Sequence, residues 1–131
     1  MTDAFIEAYG STLEEAFENA AKALIDTMID IKRVTPEREV KIEAHGDDLH
    51  SLLFDWLDKV MLLAVSEGFV ISEFKVVIKQ NGGYRLEGSG RGEKLNLEKH
   101  HYKVEIKAVT YHEMQIRQES SGTTVRFLLD L

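Results

Sequence analysis

The sequence predicts an α+β fold: two long helices packed on one face of a mixed, mostly antiparallel sheet, in two layers. Three observations lead there. Apolar residues recur at spacings of three and four over two long stretches in the first half. The second half instead alternates apolar and polar residues in short runs. Those runs are punctuated by Asn81-Gly82-Gly83 and Ser120-Ser121-Gly122, residue types that favour tight hairpin turns.

After a short opening run at Phe5 to Ala8, the first helix starts at Ser11 or Thr12. Either can cap it, with Glu14 or Glu15 three residues later closing a capping box. Leu13, Ala16, Phe17, Ala20, Ala21, Leu24, Ile25 and Met28 form one apolar stripe. Pro36, the only proline, marks the loop beyond it. The run "EVKIEA" turns Val40, Ile42 and Ala44 inward as a half-buried strand, and "HGDD" supplies a turn and cap. A second helix then rests on Leu49, Leu52, Leu53, Trp56, Leu57, Val60, Met61 and Ala64, with Gly68 as its stop. Strands are expected at about 69–79, 84–91, 102–108, 113–118 and 123–130. The glycine-rich, polar segment 88–101, "GSGRGEKLNLEKHH", reads as a mobile loop with a short helical turn.

At 131 residues the chain is expected to form a single domain, 1–131, burying roughly two-thirds of its unfolded surface. Apolar residues make up 44% and charged residues 30%, and no apolar run approaches the ~20 residues of a membrane span. The opening "MTDAFIEAYG" lacks the basic and apolar regions of a signal peptide, and there is no cysteine, so a cytoplasmic protein is expected. The net charge of −7 argues against direct binding to a nucleic-acid backbone and suits a basic protein partner or a divalent cation.

Several residues invite chemistry. His100, His101 and His112 resemble a ligand set, but neighbours on an extended strand point to opposite faces, and neither HExxH nor cysteine completes a zinc site. They are expected to make ordinary hydrogen bonds. Alternation over 102–108 places Val104, Ile106 and Ala108 inward and Lys107 on the polar face, where a solvated lysine is the plain expectation. Asp55 and Asp58 share a helix face, with Lys59 beside them to offset their charge. Asp3 and Asp130 stand near opposite ends of the chain; spacing does not connect them, although termini often meet and carboxylates with a main-chain oxygen suit a hard cation. No Walker A, GxGxxG, GxSxG or DxDxDG motif is present, and "GSGRG" at 88–92 lacks a following lysine.

The ordered set "DAFIEAYGSTLEEAFENAA", "LLFDWL", "EIKAVTYH" and the closing "LDL" resembles the archease family from Asp3 to Leu131. The resemblance implies an accessory protein without turnover of its own. It would activate an RNA 3′-phosphate ligase of the RtcB type, promoting guanylylation and multiple turnover in tRNA splicing or RNA repair. The family has also been linked to a chaperone or specificity role toward a tRNA cytosine methyltransferase. By the resemblance, Asp3, Asp130 and the main-chain oxygen of Leu131 would hold a divalent ion (calcium, with manganese and magnesium as alternatives). Lys107, in "EIKAVTYH", matches the lysine associated with activity, and no catalytic residue is implied. The chain departs from the family pattern at its start, reading M-T-D where archeases usually carry several more residues, among them a histidine in "H-T-A-D". Part of the first strand is therefore expected to be missing. A metal-dependent phosphohydrolase is the remaining rival, permitted by the acidic residues but unsupported by any nucleophile–base pair.

Overall fold

The computed structural model describes residues 3–131. In chain order these form β1 (Asp3–Gly10), α1 (Leu13–Met28), a short 3-10 turn (Ile31–Arg33), β2 (Arg38–Gly46), α2 (Leu49–Val65), β3 (Phe69–Gln80), β4 (Tyr84–Lys94), β5 (Ala108–Glu119) and β6 (Gly122–Asp130). The α+β class and its two helices are as expected. Thr12 caps α1, its side chain accepting from the Glu15 N–H. Asp48 caps α2 in a reciprocal capping box with Ser51.

The strands divide differently from the single mixed sheet that the sequence suggests. They form two three-stranded sheets, ordered β1-β6-β5 and β2-β4-β3, and every neighbouring pair is antiparallel. The hairpins β3–β4 and β5–β6 close locally, and each accepts a strand that precedes a helix. Between the hairpins, segment 95–107 spends its hydrogen bonds elsewhere: Leu95 N–H donates to Gly68 O, and Lys103 N–H to Met28 O at the end of α1. It cannot pair as a strand while it caps a helix. The strand expected at 102–108 therefore begins only at Ala108, where that segment ends.

The two sheets share one connectivity. The unit β2-α2-β3-β4 runs strand, helix, strand, strand, with the last strand central; β1-α1 followed by β5-β6 repeats that order. The first unit lies whole inside the second, between α1 and β5. Packing is reciprocal: α1 lies on β1 and on β3 of the other unit, while α2 lies on β2 and on β5. The helix pair is thus the layer common to both sheets. Trp56, Phe17 and Phe127 lie fully buried there. The Trp56 indole N–H donates to Phe17 O at 3.0 Å, so its polar atom costs nothing by burial.

The glycines of segment 88–101, expected both at the end of a strand at 84–91 and in a mobile loop, lie in the central strand β4, which runs on to Lys94. Gly88 and Gly90 occupy its inward positions, where a Cβ at Gly88 would stand 2.9 Å from Trp56 Cζ3 and one at Gly90 2.8 Å from Ile71. Glycine here marks the close approach of helix and neighbouring strand to the sheet rather than mobility. A turn follows at 97–101, as expected for that stretch.

Candidate functional site

Strand register brings the two ends of the described chain together. Asp3 of β1 lies directly opposite Asp130 of β6, and Asp130 lies opposite Ala108 of β5. Cross-strand partners share a face, with Cβ atoms about 4.5–5.5 Å apart. Buried Leu129 and Val109 point to the core one residue away, so Asp3 and Asp130 project from the outer face of the sheet. Asp3 is exposed and Asp130 half-buried. Leu131 packs its side chain against the core, which fixes the main chain beyond Asp130. The eight-residue β1 pairs along its whole length, with Asp3 in register opposite Asp130.

Lys107 adjoins this pair from the third strand. Its backbone N–H donates to Asp130 O at 2.8 Å, and its exposed side chain makes no ion pair among the described residues. Ile106 beside it is buried, which preserves the outward placement that alternation predicts even though 102–107 is irregular. Asp3 and Asp130 likewise have no basic partner among the described residues. Like charges placed directly opposite one another destabilise a strand pair, so a bound cation would relieve this arrangement. Two carboxylates and a main-chain oxygen are hard donors suited to calcium, magnesium or manganese. Among the described residues no group of three or more His, Cys, Asp or Glu is placed to hold a metal ion. The remaining coordination positions would fall to main-chain oxygen, water or a partner.

The other candidates have structural employment. His100 is fully buried; its Nδ1 accepts from the Asn96 N–H at 3.0 Å and its Nε2 lies 2.8 Å from Glu93 Oε2. The same carboxylate accepts from the Thr35 N–H at 2.9 Å and from Lys99 Nζ at 2.6 Å. Burial pushes the Glu93 carboxyl up, but the hydrogen bonds from Lys99, Thr35 and His100 outweigh it and hold its pKa at about 2. This cluster pins the segment leading to Lys107. His101 is exposed with φ at 51°, and His112 is exposed beside Glu113 at 3.3 Å. Asp55 accepts from the His45 N–H at 2.9 Å and pairs with Lys59 at 3.1 Å, while Asp58 is half-buried.

Two features have no forewarning in the sequence. One is the Glu93–His100 network, hidden in a polar, glycine-rich segment. The other is a bulge in β5, where register slips between Thr110 and Gln115 and Glu113 adopts a φ of 52°. It turns Tyr111 onto Phe54 of α2, with ring centroids 4.3 Å apart and planes 5° from parallel. Burial, with the carboxylates of Asp48 and Asp55 nearby, holds the Tyr111 hydroxyl above its ordinary pKa.

Fold and site together define a small acidic α+β protein of two nested strand–helix–strand–strand units, with a carboxylate pair and an exposed lysine at one sheet end. Residues 1–131 match the Archease protein family (MTH1598/TM1083). The chain belongs to the archease family. It is 45% identical over 121 residues to the protein archease of Pyrococcus furiosus, covering 92% of this chain and 85% of that one. The protein archease of Thermococcus kodakarensis is 42% identical over 131 residues, covering 98% and 92%. The solution structure of Methanobacterium thermoautotrophicum protein 1598 superposes with a TM-score of 0.84 at 39% identity, covering 100% of this chain and 94% of that one. A crystal structure from Thermotoga maritima, described as an archease and possible chaperone, shares the fold at a TM-score of 0.64 and 18% identity, covering 99% and 91%. No helix among the described residues is long and apolar enough to cross a membrane.

Proposed function

We propose that this protein is a cytoplasmic activator of an RtcB-type RNA 3′-phosphate ligase, without turnover of its own, acting in tRNA splicing or RNA repair. The observation that carries the reading is the meeting of Asp3, Asp130 and Lys107 at one sheet end. Asp3, Asp130 and the Leu131 main-chain oxygen would hold a divalent ion, calcium or else manganese or magnesium. Such an ion supplies positive charge that steadies phosphate oxygens and can complete the ligase's own metal-dependent guanylylation centre. Lys107, with its side chain exposed, offers a point charge to a phosphate or to an acidic group of the ligase. The net charge of −7 directs the protein to another protein rather than to RNA itself.

The test is ligase guanylylation and turnover with purified components. Lys107→Ala and Asp130→Ala should each abolish stimulation while circular dichroism stays unchanged; full stimulation by both variants would defeat the site assignment. A second reading, a chaperone or specificity factor for a tRNA cytosine methyltransferase, draws support from the description of the Thermotoga maritima protein as a possible chaperone. That role would appear as suppression of methyltransferase aggregation that tolerates Lys107→Ala. EDTA-sensitive phosphatase turnover by the purified protein alone would point instead to a phosphohydrolase.

A further inference from the structure

The two nested units can be set in register through their helix starts. Gly10 and Gly46 each stand two residues before an N-cap, Thr12 and Asp48. A Cβ on either glycine would meet the backbone N of the residue six further on, Ala16 or Leu52. Counting back seven residues from each glycine brings Asp3 of β1 onto Glu39 of β2. Strand pairing then carries the match across each sheet: the row Asp3, Asp130, Ala108 corresponds to the row Glu39, Arg91, Glu73. Both rows face away from the helices.

The inner unit carries its own cations in that row. Arg91 Nη1 lies 3.8 Å from Glu39 Oε1, and Lys41, the next outward-facing residue of β2, lies 3.0 Å from Glu39 Oε2. Two carboxylates, Glu39 and Glu73, are thus set among two positive charges. In the outer unit both cations are replaced. Asp130 stands where Arg91 does, and Phe5 stands where Lys41 does. Arg126 of the same face is given to the Phe5 ring, 4.4 Å from its centroid. Two carboxylates therefore meet across the strands with neither of the charges that balance their equivalents, and like charges so placed push a strand pair apart. The missing charge equals that of one divalent ion, whose preferred donors are carboxylate and main-chain oxygens.

We infer that a divalent ion at the Asp3–Asp130 row controls closure of the β1 end onto β6, doing for the outer unit what Arg91 and Lys41 do for the inner one. This deepens the proposed function and rests on its ion site. Without the ion, repulsion between Asp3 and Asp130 opens the neighbouring rungs, Ala4–Leu129 and Phe5–Leu128. With the ion bound, these rungs close and hold the main chain at Asp130, whose carbonyl receives the Lys107 N–H at 2.8 Å. The ion site is thereby regulatory: the anchor of Lys107 on β6 is firm only in the ion-bound form.

The experiment follows backbone amide exchange of the purified protein by mass spectrometry, in EDTA and in excess calcium, magnesium or manganese, with ion binding measured separately by calorimetry. Free ion at about a hundred times its measured dissociation constant should slow exchange at Ala4–Ile6 by up to about a hundredfold, because each opening that releases the ion is opposed by that factor. The matching stretch of β2, Val40–Ile42, has its own cations beside it and should respond far less. Asp130→Arg, which installs the inner unit's arginine, and Asp3→Asn, which removes the repulsion, should each slow exchange at Ala4–Ile6 in EDTA and abolish the response to ion. Circular dichroism confirms that each variant is folded. If an ion binds wild type yet exchange at Ala4–Ile6 is the same with and without it, the closure is wrong and the ion site stands. If no ion binds, the ion site fails and the inference falls with it. A response kept in both variants would place the ion elsewhere, and equal slowing at Val40–Ile42 would make it a general stabiliser; either result overturns the inference.

Discussion

Replacing Glu93 by Gln tests whether the buried histidine cluster holds the segment before Lys107 through charge. The Glu93 side chain is only 14% exposed and receives hydrogen bonds from Lys99, the Thr35 backbone and His100. Its carboxyl falls from 4.5 to about 2. A difference of that size is worth about 3 kcal/mol by linkage, and about 2 kcal/mol once screening at the half-exposed Lys99 is allowed for. Because the folded value lies below the unfolded one, the contribution is complete above pH 4.5 and is lost as pH falls toward 2. Glutamine mimics the protonated carboxyl. Urea denaturation at pH 7 should therefore show Glu93→Gln less stable by about 2 to 3 kcal/mol, with the gap narrowing steadily below pH 4.5. A variant within 0.5 kcal/mol of wild type at pH 7, or a gap indifferent to acid, would refute the reasoning.

Four further outcomes follow from single contacts. Gly88→Ala should cost about 1–3 kcal/mol in thermal or urea unfolding, because the new methyl meets Trp56 at 2.9 Å. Thr12→Ala should cost about 1 kcal/mol, measured the same way, by freeing the Glu15 N–H at the start of α1. Trp56→Phe should cost about 1–3 kcal/mol, through loss of the buried indole N–H bond to the Phe17 carbonyl and of part of the ring volume; chemical denaturation followed by circular dichroism would show it. Tyr111→Ala should lower stability by about 0.5–1.5 kcal/mol beyond the area lost, through loss of the Phe54 stack; a double-mutant cycle with Phe54→Ala reads the coupling.

Local rules made the helices readable. The stripes from Leu13 and Leu49, and the Thr12 cap, depend on residues three and four apart, and the coordinates match them. The hairpin at Asn81-Gly82-Gly83 was equally local, with Gly82 and Gly83 at φ of 69° and 157°. The strand expected at 84–91 runs on to Lys94, where the sequence suggests a mobile loop, because glycine carries two meanings: Gly88 and Gly90 admit Trp56 and Ile71, side chains of another helix and another strand. The strand placed at 102–108 failed for a similar reason, since Met28 O, seventy-odd residues earlier, takes the Lys103 N–H. At the candidate site, alternation placed Lys107 outward. Nothing in spacing joined Asp3 to Asp130; the tendency of termini to meet allowed it, the family resemblance suggested it, and the register between β1 and β6 sets them side by side.

The nesting of one unit within the other imposes a timetable. As the chain leaves the ribosome, β2 through β4 can assemble as soon as Lys94 has emerged, for all three strands of their sheet are then present. By contrast β1 waits for β6, on the far side of that inner unit, so its pairing edge stays uncovered until Asp130 has emerged. Loss of β6 would remove the middle strand of that late sheet and leave β1 and β5 without a common partner.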